Sequence, residues 1–129
     1  MLFRSSESDR AADMVLDNNG DIYVCGKSDV DPTWQVNDDI LTMKLSSSGT
    51  IIWTAVYSSP FLLDKGQFVR LNAANEVIVA GTLQNGTNDN IILIKYNNVG
   101  VQQWVRILDF RGGIEKLNDL LLEIGRAHV

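Results

Sequence analysis

The chain has 129 residues, 45% of them hydrophobic and 21% charged, which is the balance of an ordinary globular domain and not of a disordered one. Lys and Arg number 11 against 16 Asp and Glu, so the net charge of −5 offers no basic field to nucleic acid or anionic lipid. The longest apolar runs, such as Ile91–Ile94, are too short to span a bilayer, and the single cysteine, Cys25, cannot close an internal disulfide.

Read from the N-terminus, MLFRSSESDR shows no apolar stretch of the signal-peptide kind. The apolar segments Met14–Leu16 and Ile22–Cys25 then flank Asn18-Asn19-Gly20, where Asn and Gly accept positive φ, and together they predict a hairpin. Ile40–Leu45 and Ile51–Tyr57 flank Ser46-Ser47-Ser48-Gly49 in the same way. Further along, Ala73-Ala74-Asn75 and Asn97-Asn98-Val99-Gly100 mark two more turns between short strands rich in Ile, Val, Tyr and Trp. No segment of helical period separates them, so the elements predict an all-β, antiparallel fold.

These elements are copies. DMVLDNNGDIYVCG aligns with FVRLNAANEVIVAG at the spacing from Gly26 to Gly81, 55 residues, which sets Asp17 against Asn72 and Gly20 against Asn75. DILTMKLSSSGTIIW aligns with NIILIKYNNVGVQQW at the spacing from Trp53 to Trp104, 51 residues, which sets Asp39 against Asn90, Lys44 against Lys95 and Gly49 against Gly100. The two spacings combined place a third start at Asp119, where Asp119-Leu120-Leu121-Leu122 follows the pattern of Asp13-Met14-Val15-Leu16. The pairs Asp9-Arg10, Asp64-Lys65 and Glu115-Lys116 keep the same register.

A four-stranded meander recurring about every fifty residues is the blade unit of a propeller. The string D-x-x-x-D-x-x-G-x-I-Y-V-x-G, followed by D-I-x-x-x-K-L-x-x-x-G-x-x-x-W, resembles the bacterial-type β-propeller repeat known as the SBBP repeat, over residues 9 to 122. The expected architecture is therefore antiparallel four-stranded β-propeller blades, a fragment of a larger propeller. Residues 1–10 are the end of a preceding blade or a linker, 11–65 a first repeat, 66–116 a second and 117–122 the start of a third. EIGRAHV, residues 123–129, resembles a translated sequencing adapter and is set apart as a non-native tail, His128 with it. The resemblance implies a non-enzymatic scaffold, extracellular or at the cell surface, which binds a protein or glycan ligand and packs against further blades of the same chain. A quinoprotein-dehydrogenase-like enzyme, its active site in other blades, is the alternative, raised by Y-N-N-V-G-V-Q-Q-W.

The repeated positions carry structural readings first. Trp53 and Trp104 fill the space between neighbouring blades, in preference to a sugar-stacking platform. Lys44 and Lys95 stand among apolar neighbours and snorkel or pair with an acid, in preference to an anion site in an axial channel. Asp39 and Asn90 precede the third strand of each copy and bond to their own turn backbone; with Asn37, Asp38, Asn88 and Asp89 they supply oxygens for Ca²⁺, but without the spacing of a calcium loop. Cys25 matches Ala80 as a small buried residue. No catalytic, cofactor-binding or metal-ligating set is assigned: the inventory has one histidine and no nucleophile motif. Asn85-Gly86-Thr87 is a glycosylation sequon.

Overall fold

The computed structural model describes residues 9–29, 38–59, 63–84 and 89–108. They form eight strands: β1 (Arg10–Leu16), β2 (Ile22–Asp29), β3 (Asp38–Leu45), β4 (Ile51–Tyr57), β5 (Leu63–Leu71), β6 (Val77–Gln84), β7 (Asp89–Tyr96) and β8 (Gln102–Leu108). Consecutive strands pair antiparallel within β1–β4 and within β5–β8, giving two four-stranded meanders. Among the described residues one parallel pair, Asp38 with Leu63, is the only ladder contact joining them, so in their hydrogen bonding the eight strands are two sheets linked at one corner. The expected division at 65/66 falls inside β5; among the described strands the change of sheet lies between Tyr57 and Leu63.

All four described hairpins turn in one way. The first residue of each, Asp17, Ser46, Asn72 or Asn97, bonds through its backbone N–H to the carbonyl four residues on, and its own carbonyl accepts from the N–H three residues on. Its side-chain oxygen takes the N–H four residues on as well, at 2.9–3.1 Å. This is a type I turn followed by a residue in the left-handed region, which explains why the last positions are Gly20, Gly49, Asn75 and Gly100, all with positive φ.

The repeat extends to the irregularities. β1 bulges between Ala11 and Asp13, and β5 between Gly66 and Phe68, at the equivalent place; both fourth-strand pairings slip after Lys44 and Lys95. Gly26 and Gly81 face the bulges. A Cβ on Gly26 would stand 1.9 Å from the Arg10 carbonyl oxygen, and one on Gly81 2.1 Å from that of Lys65. Close approach of two backbones, rather than an unusual φ, fixes glycine there.

The sheets stack face to face. Alternation in β2, β3 and β4 points Tyr23, Cys25, Ile40, Trp53, Ala55 and Tyr57 at the second sheet, which answers with Val69, Val77, Val79, Ile92, Ile94 and Tyr96. Gly66 lets the backbones come close at the centre: a Cβ on it would lie 2.9 Å from the Gly26 carbonyl oxygen. On the opposite side of the first sheet, Leu41, Met43 and Leu45 are buried with Ile22 and Val24 packed on them. Around them Met14, Leu16, Ile52 and Val56 are each about half exposed.

Candidate functional site

Among the described residues, side-chain hydrogen bonds at the turn end of the stacked sheets converge on Asn98. Asp17 spends one carboxylate oxygen on its own turn, accepting from the N–H groups of Asn19 and Asp21, and the other on the Tyr23 hydroxyl at 3.0 Å. That hydroxyl in turn accepts from Asn98 Nδ2 at 3.0 Å. Asn98 Nδ2 donates again to the Asn75 carbonyl, its Oδ1 accepts from Lys44 Nζ at 3.1 Å, and its backbone carbonyl accepts from the Trp53 indole at 2.9 Å. A single residue on the β7–β8 turn thus holds β2, β3 and β4 of the other sheet.

The electrostatics suit a joint. Lys44 is 7% exposed, which demands compensation for its charge. It receives this from Asn98, from Asp21 Oδ2 at 3.8 Å and from the Tyr23 ring, whose centroid is 5.2 Å away. Burial acts most strongly on Asp17, against its charge, but the hydrogen bonds from Tyr23, Asp21 and Asn19 and the nearby Lys44 outweigh it and hold the carboxyl below its ordinary value. Burial raises the Tyr23 phenol, so it stays a donor to Asp17 through the neutral range.

Among the described residues the second sheet repeats the arrangement without an outer partner. Lys95 meets Glu76 at 3.0 Å, and Asn72 Nδ2 donates to the same Glu76 oxygen at 2.8 Å; these two bonds, Asn72 first, lower the Glu76 carboxyl. Ile78 stands at the Tyr23 position. Trp104 is half buried with Ala80, Ile91 and Leu93, and the Arg106 guanidinium lies 5.3 Å from its ring. Both lysines pair with acids, as their setting in the strand predicts.

A second link crosses at β5. Asp13 Oδ2 accepts from Arg70 Nη1 at 2.8 Å and from the Val69 N–H at 3.0 Å, which lies on the free edge of that strand. At the opposite end, Asp64 is fully buried and accepts from the Ser59 N–H and hydroxyl at 2.8 and 2.7 Å. Burial dominates and pushes its carboxyl up, and nearby Asp38 adds to the rise against the two Ser59 bonds. Asp38 itself pairs with Lys27 at 2.9 Å.

Asp39 and Asn90 lie within strands. β3 begins at Asp38 and β7 at Asp89, so the ladder takes both residues, Asp39 opposite Ser28 and Asn90 opposite Leu83. Among the described residues no three His, Cys, Asp or Glu side chains form a group fit for a metal ion. The Trp53 ring is occupied against Gly100 and Asn98 rather than displayed. Cys25 is fully buried, and burial foremost, with Asp13 adding, pushes its thiol up to about 12. Asn37, the Asn85 sequon, Asn88, the start at Asp119 and residues 123–129 lie outside the described residues. Comparison with protein-family models finds no match, and no curated protein matches the chain.

Proposed function

We propose that the chain is a non-enzymatic repeat scaffold, its two sheets adjacent blades of a larger β-propeller of the SBBP type. One observation carries this reading: the face with which the second sheet covers the first is repeated, position for position, on the outward side of the first. Val69, Leu71, Val77, Val79, Ile92, Ile94 and Tyr96 correspond to Met14, Leu16, Ile22, Val24, Leu41, Met43 and Leu45. Units that stack by the same faces leave a copy of that face for the next unit, whereas a two-sheet sandwich has no use for it. The half-exposed Met14, Leu16, Ile52 and Val56 are the part of it that further blades of the same chain would cover. The resemblance of the D-x-x-x-D-x-x-G and D-I-x-x-x-K-L strings to the SBBP repeat adds a cell-surface or extracellular setting and a protein or glycan ligand, and those two assignments rest on it alone.

The test is sedimentation together with thermal unfolding of the 129-residue chain, alongside a chain in which further units of the repeat flank it. Self-association of the shorter protein, relieved by Leu16→Lys with Val56→Lys, and cooperative unfolding of the longer monomer are expected. A monodisperse short chain with a sharp two-state melt, unchanged by those substitutions, would show that the outward face needs no neighbour.

A further inference from the structure

Two turns in this chain are built alike and differ in what lies on them. Ser46–Gly49 and Asn97–Gly100 close through the same two backbone hydrogen bonds and end on glycines with φ of 91° and 88°. On Gly100 lies the Trp53 indole: a Cβ there would stand 2.7 Å from its Cδ2 and 2.9 Å from its Cγ. The indole N–H donates to the Asn98 carbonyl at 2.9 Å, and the Tyr96 ring flanks it at 6.0 Å. On Gly49 the corresponding space holds none of the described residues, with nothing among them within 4 Å of a Cβ built there.

The surroundings correspond. Ser47 occupies the position of Asn98 and Leu45 that of Tyr96, and Ile51 and Ile52 are partly exposed beside them. The turn does not by itself demand glycine, because Asn75 closes the same kind of turn at φ 59°. At Gly100 the missing side chain has a visible second use, which is to let an aromatic ring lie on the backbone. Gly49 leaves the same room.

We infer that Gly49 and the Ser47 carbonyl form a receptor for an indole, and that its occupant is the tryptophan at the Trp53 position of a further repeat unit on the outward face of the first sheet. The inference rests on the stacking reading above and narrows it to one side chain. An indole is specified over other aromatic groups because the carbonyl needs an N–H at the ring edge, which Phe lacks. Gly49 removes the Cβ that would hold any ring away.

The experiment is proton NMR of the full chain. Gly100 Hα, under the Trp53 ring, gives an internal reference for a large upfield ring-current shift, and Gly49 Hα lacks that shift in the free protein. N-acetyl-L-tryptophanamide should move Gly49 Hα upfield saturably. Its 1-methylindole analogue, which has no N–H, should bind roughly three- to tenfold more weakly. Gly49→Asn should abolish the saturable shifts that the probe induces in the Ile51 and Ile52 methyls while leaving Gly100 Hα in place, which shows that the variant is folded. A probe that perturbs the Met14 and Leu16 methyls but not Gly49, or a methylated probe that binds equally well, overturns the receptor. A Gly49 Hα already shifted upfield in proportion to protein concentration, without probe, assigns the site to Trp104 of a second copy and overturns it too. The stacking reading is decided separately by sedimentation, so the two failures are distinguishable.

Discussion

Asn98 and Ser47 occupy equivalent positions in equivalent turns, yet among the described residues only Asn98 has a sheet to hold. Removing its amide leaves the buried Lys44 with Asp21 at 3.8 Å as its remaining ion-pair partner and strips the Tyr23 hydroxyl of a donor. Asn98→Ala should therefore cost about 2–3 kcal/mol in urea unfolding, and Ser47→Ala within about 0.5 kcal/mol of nothing. Equal losses would make both effects a matter of turn propensity. Tyr96 presents the opposite case. Its hydroxyl and that of Thr42 are buried without a well-formed hydrogen bond, and burial, only partly offset by Thr42, pushes the phenol up to about 12. The double change Tyr96→Phe with Thr42→Val removes two uncompensated polar groups and keeps the shape. It should be neutral or stabilising by about 1 kcal/mol and should flatten the loss of stability above pH 10, the phenol's ordinary value. A loss of stability at neutral pH would mean that the two hydroxyls serve each other well.

At the scale of elements, the bulge and its opposing glycine form one device. A methyl on Gly26 or Gly81 meets a carbonyl oxygen of the neighbouring strand, which the sheet cannot yield without breaking the ladder. Gly26→Ala and Gly81→Ala should each destabilise by at least about 3 kcal/mol in denaturant titrations. Gly49→Ala, strained in φ but sterically open, should cost about 1–2 kcal/mol. A small effect at Gly26 would show that the bulge can relax. The turns, the order of the strands and the pairing of equivalent residues were all legible in the sequence, because Asn, Asp and Gly at turn positions act through local backbone chemistry. Gly26 and Gly81 were legible as repeated but not as explained, since the carbonyl that excludes a side chain belongs to another strand. Asn98 gave no signal at all beyond its turn: its partners Tyr23, Lys44 and Trp53 lie 45 to 75 residues away. Asp39 and Asn90 stand inside strands whose apolar runs start only after them, because the ladder with β2 or β6 carries each strand two residues back from Ile40 and Ile91, to Asp38 and Asp89.

For the whole molecule, the two ends of the sheets respond to acid in opposite senses. Asp17 and Glu76 at the turn end have carboxyls held below their ordinary values of 3.8 and 4.5, so the stability they contribute is present above those values and is lost as pH falls through the lowered ones. Asp64 at the other end has its carboxyl raised above 3.8 by burial. The folded state holds that proton more tightly than the unfolded chain does, so this contribution is fully present below 3.8 and is lost as pH rises through the raised value. In the window just above 3.8, acidification therefore strengthens the fold through Asp64, while below it the turn end weakens. Asp64→Asn removes the first effect and leaves the second. The stability of the variant, measured by urea unfolding from about pH 3 to about pH 8, should fall steadily with acid and show no recovery in the window just above 3.8. At neutral pH the variant escapes the cost of a buried charge but presents an amide N–H₂ where one Ser59 donor needs an oxygen, so the two changes offset and stability there should stay within about 1 kcal/mol of the parent. A profile with the same shape for parent and variant would mean that Asp64 binds its proton equally in both states, and the carboxylate with its two Ser59 bonds would then be as well solvated in the fold as in water.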